Sequence, residues 1–328
     1  MALIQVDPRH PDPAVIARAA ELLRAGRLVA FPTETVYGLG ANALDPAAVA
    51  RIFEAKGRPS FNPLIVHAVD ARSAFALMRE WNERAIALAD AFWPGPLTLV
   101  MPKQPRVPDI VTAGLDSVAV RVPAHPVAQA LLAEAKIPIA APSANRSTML
   151  SPTIGRHVQG SLGERVDLIL DAGPTPVGIE STVIDVSHAM PTLLRPGTIT
   201  VPEIEAVIGP IAIAAAATEG AARPSPGMME RHYSPRARLV MADATDVERI
   251  VSEERGAGLR VGALVMNAPV VVDDSVIVMP SEARAYAARL YGALHELDDA
   301  GCEVVVVERV PDSIEWLGLR DRLQRAVR

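Results

Sequence analysis

Apolar residues recur along the first two thirds of the chain in short runs that alternate with amphipathic segments. The runs at 28–31, 64–66 and 97–101 have the length and composition of buried strands. Two segments carry apolar residues at helical spacing, and each begins with an aspartate followed by a proline, at 12–13 and 45–46. Aspartate is a good N-cap and proline fits the first helical turn. This alternation predicts an α/β fold, a twisted open sheet covered by helices.

The same pattern predicts the other elements of this first unit. Further strands are expected at 3–6, 117–122, 138–141, 167–171, 181–186 and 192–195, and further helices at 71–91 and 126–135. Ser151, followed by a proline, is expected to cap the next helix. Thr200 and Glu203 have the spacing of a capping box for a last short helix.

The character of the chain changes at about residue 209. An Ala-rich stretch gives way to a Gly- and Pro-rich one, which is typical of a linker. Beyond it, strand-like runs alternate with helical patterns, which predicts a second, smaller Rossmann-like α/β unit with a parallel sheet. The strands are expected at 239–241, 261–266, 276–279 and 304–307, and the helices at 245–254, 281–297 and 313–326. The predicted organisation is a first domain at 1–208, a linker at 209–236 and a C-terminal domain at 237–328.

Composition narrows the classes of function. The 328 residues are 50% hydrophobic, enough for two globular cores. Asp and Glu number 38 against 32 Lys and Arg, and a net charge of −6 argues against broad, sequence-independent nucleic-acid binding. The single cysteine, Cys302, is expected to be a core thiol. No signal pattern and no apolar run of membrane-spanning length is found, so we expect a soluble, cytoplasmic protein.

Polar residues gather where the predicted strands of the first unit end. The run at 28–31 breaks into Pro-Thr-Glu-Thr at 32–35, and Gly38 and Gly40 then permit close backbone approach. Lys56, Arg58 and Asn62 follow the next helix, and His67 ends the strand that comes after them. Strand ends of this kind are where an open α/β sheet binds ligands.

Each of these residues also has a simpler interpretation. Lys56 and Arg58 could form a solvated helix end, where cations suit the helix dipole. The glycine and proline that flank Arg58 fix the backbone, which favours a ligand site instead. His67 and Ser143 could be an ordinary strand-end histidine and an ordinary turn serine. Arg121 stands on an apolar strand and needs an anionic partner, either a protein carboxylate or a substrate carboxylate.

Several common phosphate and metal motifs are missing from the sequence. It contains no G-x-x-x-x-G-K-[ST], and the glycines at 38 and 40 lack the third glycine of a dinucleotide fingerprint. No Cys or His pair has the spacing of zinc ligands, and no G-x-S-x-G elbow occurs. Any phosphate chemistry therefore needs a different cradle.

A set of segments carries a more specific signal than any single residue. These are PTETVYGLG at 32–40, KGRPSFNPLIVH at 56–67, PSAN at 142–145, ESTVID at 180–185, RPG at 195–197 and PGMMERHYSP at 226–235. Together they resemble the threonylcarbamoyl-AMP synthase family of YrdC-like fold, in its long form with an added C-terminal domain. The chain departs from the family where Gly57-Arg58 follows Lys56, and at Ser117, where threonine is common.

The resemblance implies a reaction and the residues that carry it. L-Threonine, bicarbonate or CO₂, and ATP would give L-threonylcarbamoyl-AMP and pyrophosphate, with Mg²⁺ accompanying ATP. The catalytic cations would be Lys56 and Arg58. Threonine would be bound by Thr35, His67, Arg121, Ala141 and Ser181. ATP would be bound by Arg58, Asn62, Ser117, Ser143, Ser151, Arg195 and Tyr233. No protein residues are expected to form a metal cage.

The resemblance also implies partners and leaves two alternatives. The product would feed the t6A modification of tRNA through separate transferase proteins, with no membrane and no strong direct nucleic-acid binding expected. One alternative is a double-stranded-RNA or ribosome-binding module of the same fold, against which the acidic charge counts. The other is a carbamoyl-adenylating domain of hydrogenase maturation, whose chains carry many cysteines.

The segment at 226–235 predicts more than a tether. Its two prolines set turns, and Met228, Met229 and Tyr233 are apolar enough to seek burial. We expect this segment to act as a lid that places the Tyr233 hydroxyl against the nucleotide phosphates and excludes water. The alternative is that these residues only dock the second domain.

Overall fold

The computed structural model describes residues 2–214, 233–267 and 275–327. We call residues 2–214 the N-terminal unit and the other two ranges the C-terminal unit. The helices described are α1 Pro13–Arg24, α2 Pro46–Lys56, α3 Ala71–Phe75, α4 Glu83–Phe92, α5 Asp109–Thr112, α6 Pro126–Ala135, α7 Gly155–Leu162, α8 Val201–Ile208, α9 Val247–Gly256, α10 Ala283–Asp299 and α11 Leu317–Ala326. Short 3₁₀ helices occupy Gly163–Arg165 and Ile314–Trp316.

The strands form two separate sheets. Those of the N-terminal unit are β1 Ala2–Gln5, β2 Val29–Pro32, β3 Tyr37–Asn42, β4 Ile65–His67, β5 Leu97–Pro102, β6 Ser117–Arg121, β7 Ile139–Ala140, β8 Leu168–Asp171, β9 Thr182–Asp185, β10 Thr192–Arg195 and β11 Ala212–Ile213. Those of the C-terminal unit are β12 Arg238–Ala242, β13 Val261–Val265, β14 Val276–Val278 and β15 Val304–Glu308.

The larger sheet is mixed. Its strand order is β1-β8-β2-β3-β7-β4-β6-β5-β9-β10-β11. Strands β4 and β6 run parallel, and their register places His67 opposite Arg121. Strand β5 is antiparallel to β6 and parallel to β9. The centre of the sheet therefore brings the ends of several strands to one edge, where polar side chains can meet.

The alternation of β2 shows how both faces of this sheet are covered. Ala30 belongs to the large core that contains Val49 and Ile52 of α2. Val29 and Phe31 belong to a second core on the opposite face, which α1 and α6 cover. Successive strand residues point to opposite faces, so one buried strand serves two cores. The expected covered α/β sheet is confirmed.

The smaller sheet has the order β12-β15-β13-β14, and its strand pairs are all parallel. Cys302 is buried in the core of this unit. The predicted second α/β unit with a parallel sheet and a core thiol is confirmed.

The structure differs from the sequence predictions in several places, and two short elements, α5 and β11, were not predicted, the second of them within the predicted linker. The helix expected over 71–91 is interrupted, and Asn82 caps its second part, α4. A strand not predicted, β3, pairs with β2 through the stretch that holds the two glycines. A Cβ at Gly40 would lie 2.8 Å from the Phe31 ring, so this close approach requires glycine. Ser151 is not an N-cap: α7 begins after Ile154, and the Ser151 hydroxyl has another partner, described below.

The boundaries of the linker remain a prediction. Most of the proposed lid, including Met228 and Met229, lies outside the described residues, and so does the segment 215–232 as a whole. Tyr233, at the end of that segment, is described and is 1% exposed.

Candidate functional site

One cavity gathers most of the residues that the sequence singled out. It encloses about 530 Å³ of space, part of which is open to solvent. It is lined by Thr33, Thr35, Val36, Gly38, Arg58, Ile65, His67, Arg121, Ala141, Pro142, Ser143, Glu180, Ser181, Arg195 and Tyr233. All five residues predicted to bind threonine line it, together with four of the seven predicted to bind ATP. The strand ends and the loops that follow them build this site.

Arg121 is held at the end of β6 by three groups. Its Nε donates to Gly95 O at 3.1 Å, and its Nη1 donates to Thr35 Oγ1 at 2.8 Å. Its Nη2 lies 2.7 Å from Glu34 Oε1 in an ion pair whose angles fall short of a hydrogen bond. Glu34 stands behind the cavity wall, and its other oxygen accepts from Ala124 N at 3.0 Å. The anionic partner of Arg121 in the protein is therefore Glu34, while the guanidinium itself faces the cavity.

His67, next to Arg121 in the sheet, is a neutral imidazole. Burial, reinforced by the charge of Arg121, lowers its pKa to about 3. Its Nδ1 has no hydrogen-bond partner among the described residues. His67 lines the cavity, and a neutral ring nitrogen without a partner can serve a ligand there.

Ser181 links the two sets of predicted ligands. Its hydroxyl lies 2.8 Å from Thr98 Oγ1. Arg195 Nη2 donates to the same hydroxyl at 3.0 Å, and Arg195 Nε donates to Ser181 O at 3.0 Å. A residue predicted to bind threonine is thus fixed by one predicted to bind ATP, and both line a single cavity.

Lys56 and Arg58 do not form a solvated helix end. Lys56 is 2% exposed and Arg58 is 8% exposed, so that simpler interpretation is wrong. Gly57 between them adopts a positive φ of 60° at the C-cap of α2, which turns the chain sharply. The two cations are directed into the protein by this turn.

Both cations hold backbone carbonyl groups around the cavity. Lys56 Nζ donates to Ser143 O and Asn145 O, each at 2.5 Å. Arg58 donates to Asn62 O at 3.1 Å and Pro63 O at 2.9 Å. Burial and the neighbouring Arg58 lower the pKa of Lys56 well below its usual value. Burial lowers the pKa of Arg58 to about 9, so it remains charged at neutral pH.

The remaining predicted ATP ligands lie around or beyond this cavity. Asn62 is buried next to Arg58, and its own backbone carbonyl is bound by that guanidinium. Ser117 is at the other end of β6, and the strand period places it on the same face as Arg121, about 13 Å away by strand rise. Neither Asn62 nor Ser117 is among the lining residues. An extended ligand would be needed to span from Arg121 to Ser117.

Ser151 lies behind the cavity wall in a network that crosses between the two units. Ser151 is fully buried, and its hydroxyl donates to Glu180 Oε1 at 2.5 Å. The other oxygen of Glu180 accepts from Arg322 Nε at 2.8 Å and from the Tyr291 hydroxyl at 3.2 Å. Arg322 and Tyr291 belong to the C-terminal unit. The short bond to Glu180 explains why Ser151 does not cap a helix.

Sequence reasoning gave no role to Glu34, Glu180 or Arg322. A signal for the two glutamates is present, because each directly precedes a hydroxyl residue predicted to bind threonine, Thr35 or Ser181. No comparable signal marks Arg322, which reaches the site only through the packing of the C-terminal unit.

The lining offers little to a metal ion. Glu180 is the one acidic side chain among the described lining residues, and its two carboxylate oxygens already accept hydrogen bonds from Arg322 and Ser151. No cluster of three or more His, Cys, Asp or Glu side chains suited to a metal is found in residues 2–214, 233–267 and 275–327. If Mg²⁺ enters this cavity on the phosphate oxygens of ATP, Glu180 is the one carboxylate of the described lining that it would meet.

No helix in the described part of the chain is long and apolar enough to cross a membrane.

Taken together, fold and site define a two-unit α/β protein with a buried, arginine-rich cavity suited to an anionic ligand.

Two family models match almost the whole chain. The Sua5/YciO/YrdC model, described as "Telomere recombination", matches residues 21–197, and the model described as "Threonylcarbamoyl-AMP synthase, C-terminal domain" matches 199–327. The threonylcarbamoyl-AMP synthase of Pyrococcus abyssi is 44% identical over 94% of this chain and 92% of its own length. That of Bacillus subtilis is 45% identical over 95% of this chain and 92% of its own length.

A solved structure extends this likeness to the fold. The crystal structure of P. abyssi Sua5 complexed with L-threonine has a TM-score of 0.94 at 42% identity, covering 99% of this chain and 97% of that one. The chain belongs to the threonylcarbamoyl-AMP synthase family of enzymes, in the form that carries the C-terminal domain. The expected YrdC-like fold and the expected family are confirmed.

Proposed function

We propose that this protein synthesises L-threonylcarbamoyl-AMP from L-threonine, bicarbonate or CO₂, and ATP, releasing pyrophosphate, and that the product serves the t6A modification of tRNA. The observation that carries the proposal is the single cavity in which the threonine set meets the cations Arg58 and Arg195. An acyl adenylate can form only if the carboxyl-bearing substrate and the α-phosphate share one site. The family membership gives the identities of the substrates.

The geometry suits a reaction that depends on positioning and charge. Threonine first becomes its carbamate, and a carbamate oxygen then attacks the α-phosphorus while the bond to pyrophosphate breaks. Charge develops on the departing pyrophosphate, and fixed cations stabilise it without reorganisation. Arg58 and Arg195 are buried and held by backbone carbonyls, so they are fixed in this sense. Mg²⁺ bound to ATP would supply further charge neutralisation on the phosphates.

The other end of the cavity suits threonine. Arg121 presents its guanidinium to the cavity, where it can bind the α-carboxylate of threonine. A carboxylate is planar, and its two oxygens match the fork of N–H donors of a guanidinium. Neutral His67 and the hydroxyls of Thr35 and Ser181 offer hydrogen-bonding groups for the remaining polar atoms. The nucleotide would extend from Arg121 towards Ser117 along one face of β6. The same face carries Ala119.

The RNA-binding alternative requires exposed cations that follow a phosphate backbone. The arginines of this cavity are instead buried, with exposures of 3% for Arg121, 4% for Arg195 and 8% for Arg58. This observation favours a small-molecule substrate.

The test incubates the protein with ATP, L-threonine and labelled bicarbonate. We expect a labelled adenylate and one pyrophosphate for each product molecule, both dependent on threonine. Serine serves as the matched control substrate, since it lacks only the methyl group. Pyrophosphate release that is independent of threonine, with no labelled adenylate, would contradict the proposed function.

A further inference from the structure

Glu180 places a buried carboxylate at the wall of a cavity that binds anions. It lines the cavity and is 6% exposed. Its charge acts on Arg195, one of the cations proposed to bind phosphate, and on Lys56 at the end of α2. A carboxylate in this position would repel a triphosphate unless its charge were offset, because like charges interact strongly where water is excluded.

The offsetting charge comes from the C-terminal unit. Arg322, on α11, donates through Nε to Glu180 Oε2 at 2.8 Å and through Nη2 to Glu180 O at 3.4 Å. Its side chain is fully buried, and its Nη1 pairs with Asp321 at 2.7 Å. The guanidinium also lies over the ring of Tyr233, 5.0 Å from the centroid. One residue of α11 thus contacts both Glu180 and Tyr233, two groups of the cavity wall.

The ionised form of Glu180 is secured by this arrangement. Burial alone would raise the pKa of Glu180, but the charges of Arg322 and Arg195 and the bond from Ser151 outweigh it and lower the pKa. Glu180 is therefore an anion at neutral pH, and Arg322 is a cation that bonds its carboxylate directly.

The two units approach closely enough around Glu180 to keep Arg322 in place. A Cβ at Gly178 would lie 2.3 Å from Ala287 O of α10. A Cβ at Gly318, at the start of α11, would lie 2.7 Å from Gly197 O. Backbone therefore packs against backbone between the two units near both partners of the ion pair, two residues before Glu180 and four residues before Arg322.

We propose that Arg322 is a positioning residue of the ATP site: it neutralises and fixes Glu180 at the cavity wall, so that the C-terminal unit completes the site for an anionic nucleotide. The inference rests on the proposed function for the identity of the ligand. Arg322 acts through Glu180 and does not line the cavity itself.

A docking contact between the units is the competing explanation. The exposed pair between Arg284 of α10 and Glu203 of α8, 2.6 Å apart, shows what such a contact looks like away from the cavity. Loss of the Arg284–Glu203 pair should leave ligand binding unchanged, because the pair lies away from the cavity. It should also change stability little, since exposed ion pairs contribute little to it. Arg284 is therefore the matched control: an arginine of the same unit, paired with a glutamate of the N-terminal unit.

The experiment measures ATP and threonine affinity of the full chain by calorimetry for Arg322→Met, Glu180→Gln, the double variant and Arg284→Met. We expect Arg322→Met to weaken ATP binding about thirtyfold or more, because Glu180 is left unpaired. Glu180→Gln in the same chain should restore much of that loss, and Glu180→Gln alone should tighten ATP binding. Threonine affinity should change little, and Arg284→Met should match the unaltered protein.

Each outcome decides between the explanations. ATP affinity that is unchanged in Arg322→Met, with a lower melting temperature, would show a docking contact only and overturn the inference. A double variant no better than the single one would also overturn it. Should Arg322→Met fail to fold, Glu180→Gln alone still decides, since it keeps Arg322 paired with Asp321 and must tighten ATP binding. If the unaltered protein binds ATP but makes no adenylate, the proposed function is wrong, but the ATP affinities of the variants still test the role of Arg322. If the unaltered protein binds no ATP, both the proposed function and the role of Arg322 are wrong.

Discussion

Two glutamates in this protein are each followed by a hydroxyl residue but have opposite positions relative to the cavity. Glu34 precedes Thr35, Glu180 precedes Ser181, and each glutamate pairs with a distant buried arginine. In the first pair the arginine, Arg121, lines the cavity and the glutamate stands behind it. In the second pair the glutamate lines the cavity and the arginine stands behind.

The two pairs also differ in how completely they are hydrogen-bonded. Glu34 Oε1 and Arg121 Nη2 are buried and make no hydrogen bond among the described residues, despite lying 2.7 Å apart. Both oxygens of Glu180 accept hydrogen bonds, one from Ser151 and the other from Arg322 and Tyr291. Unsatisfied buried polar atoms are rare and tend to mark functional positions. We infer that Arg121 of the first pair contacts the ligand, held from behind by Glu34, and that the second pair supports the site.

The largest expected effect comes from removing the cation of the first pair. Arg121→Ala should raise the threonine concentration needed for half-maximal activity by orders of magnitude, because loss of one partner of a desolvated pair costs about 2–5 kcal/mol. Arg121→Lys should not rescue it, since a lysine lacks the planar fork. The measurement is the threonine dependence of adenylate formation, with ATP saturating.

The control separates binding from folding. Arg121→Ala leaves Glu34 buried and uncompensated, so the double variant with Glu34→Gln should recover much of the melting temperature and none of the threonine affinity. A folded Arg121→Ala protein with normal threonine dependence would contradict the assignment.

This comparison also shows what the sequence can and cannot predict. The need of Arg121 for an anion follows from one arginine on an apolar strand, because a buried charge is too costly alone. The identity of that anion does not, since Glu34 reaches Arg121 only through the β2–β3 hairpin turn and the register of β4 with β6.

Other elements follow the same division. Helices α1 and α2 follow from local signals, an N-cap aspartate, a proline and a C-terminal glycine, and the capping box at Thr200 is present as predicted. Ser151 has an equally good local signal, but Glu180 takes its hydroxyl in a contact between residues 29 positions apart. Arg322 could not be found from sequence, because its partner is 142 positions away in the other unit.

A second prediction concerns Lys56, whose side chain holds the loop at Ser143 and Asn145. Lys56→Met keeps most of the volume but removes the amino group and both of its bonds to carbonyl groups. We expect turnover to fall by about a hundredfold or more, as for other groups that stabilise a transition state electrostatically. The melting temperature should fall as well, since two buried carbonyls lose their donor.

A lower melting temperature of Lys56→Met is expected for a buried lysine and not for one at a solvated helix end. Arg51→Met on the same helix is the matched control, because Arg51 is a partly exposed cation that bonds Gly26 O and Asp167. Arg51→Met should leave turnover normal. If Lys56→Met lowered stability while activity per folded molecule held, Lys56 would be structural only.

A third, smaller effect is the pH dependence of ATP affinity. Burial and Arg58 lower the pKa of Lys56 in the free protein, and bound phosphates would raise it again. ATP binding should therefore take up a proton, and affinity should weaken as pH rises above the lowered pKa. Calorimetry in two buffers of different ionisation enthalpy measures this uptake. Equal proton uptake in Lys56→Met and the unaltered protein would assign it to another group.

The smallest expected effect lies beside Arg121, at His67. Its pKa is about 3 in the folded protein against a usual value of 6.5, so between these pH values the unfolded chain binds a proton that the folded chain does not. Stability should therefore fall as pH drops through this window, by up to about 1.4 kcal/mol per pH unit for one proton. His67→Gln should remove this part of the slope, measured by urea unfolding at pH 4 to 7. Carboxylates contribute equally to both proteins and cancel in the difference. Identical slopes would mean that His67 takes up its proton at the same pH in the folded and unfolded chains, which would contradict the lowered pKa of His67.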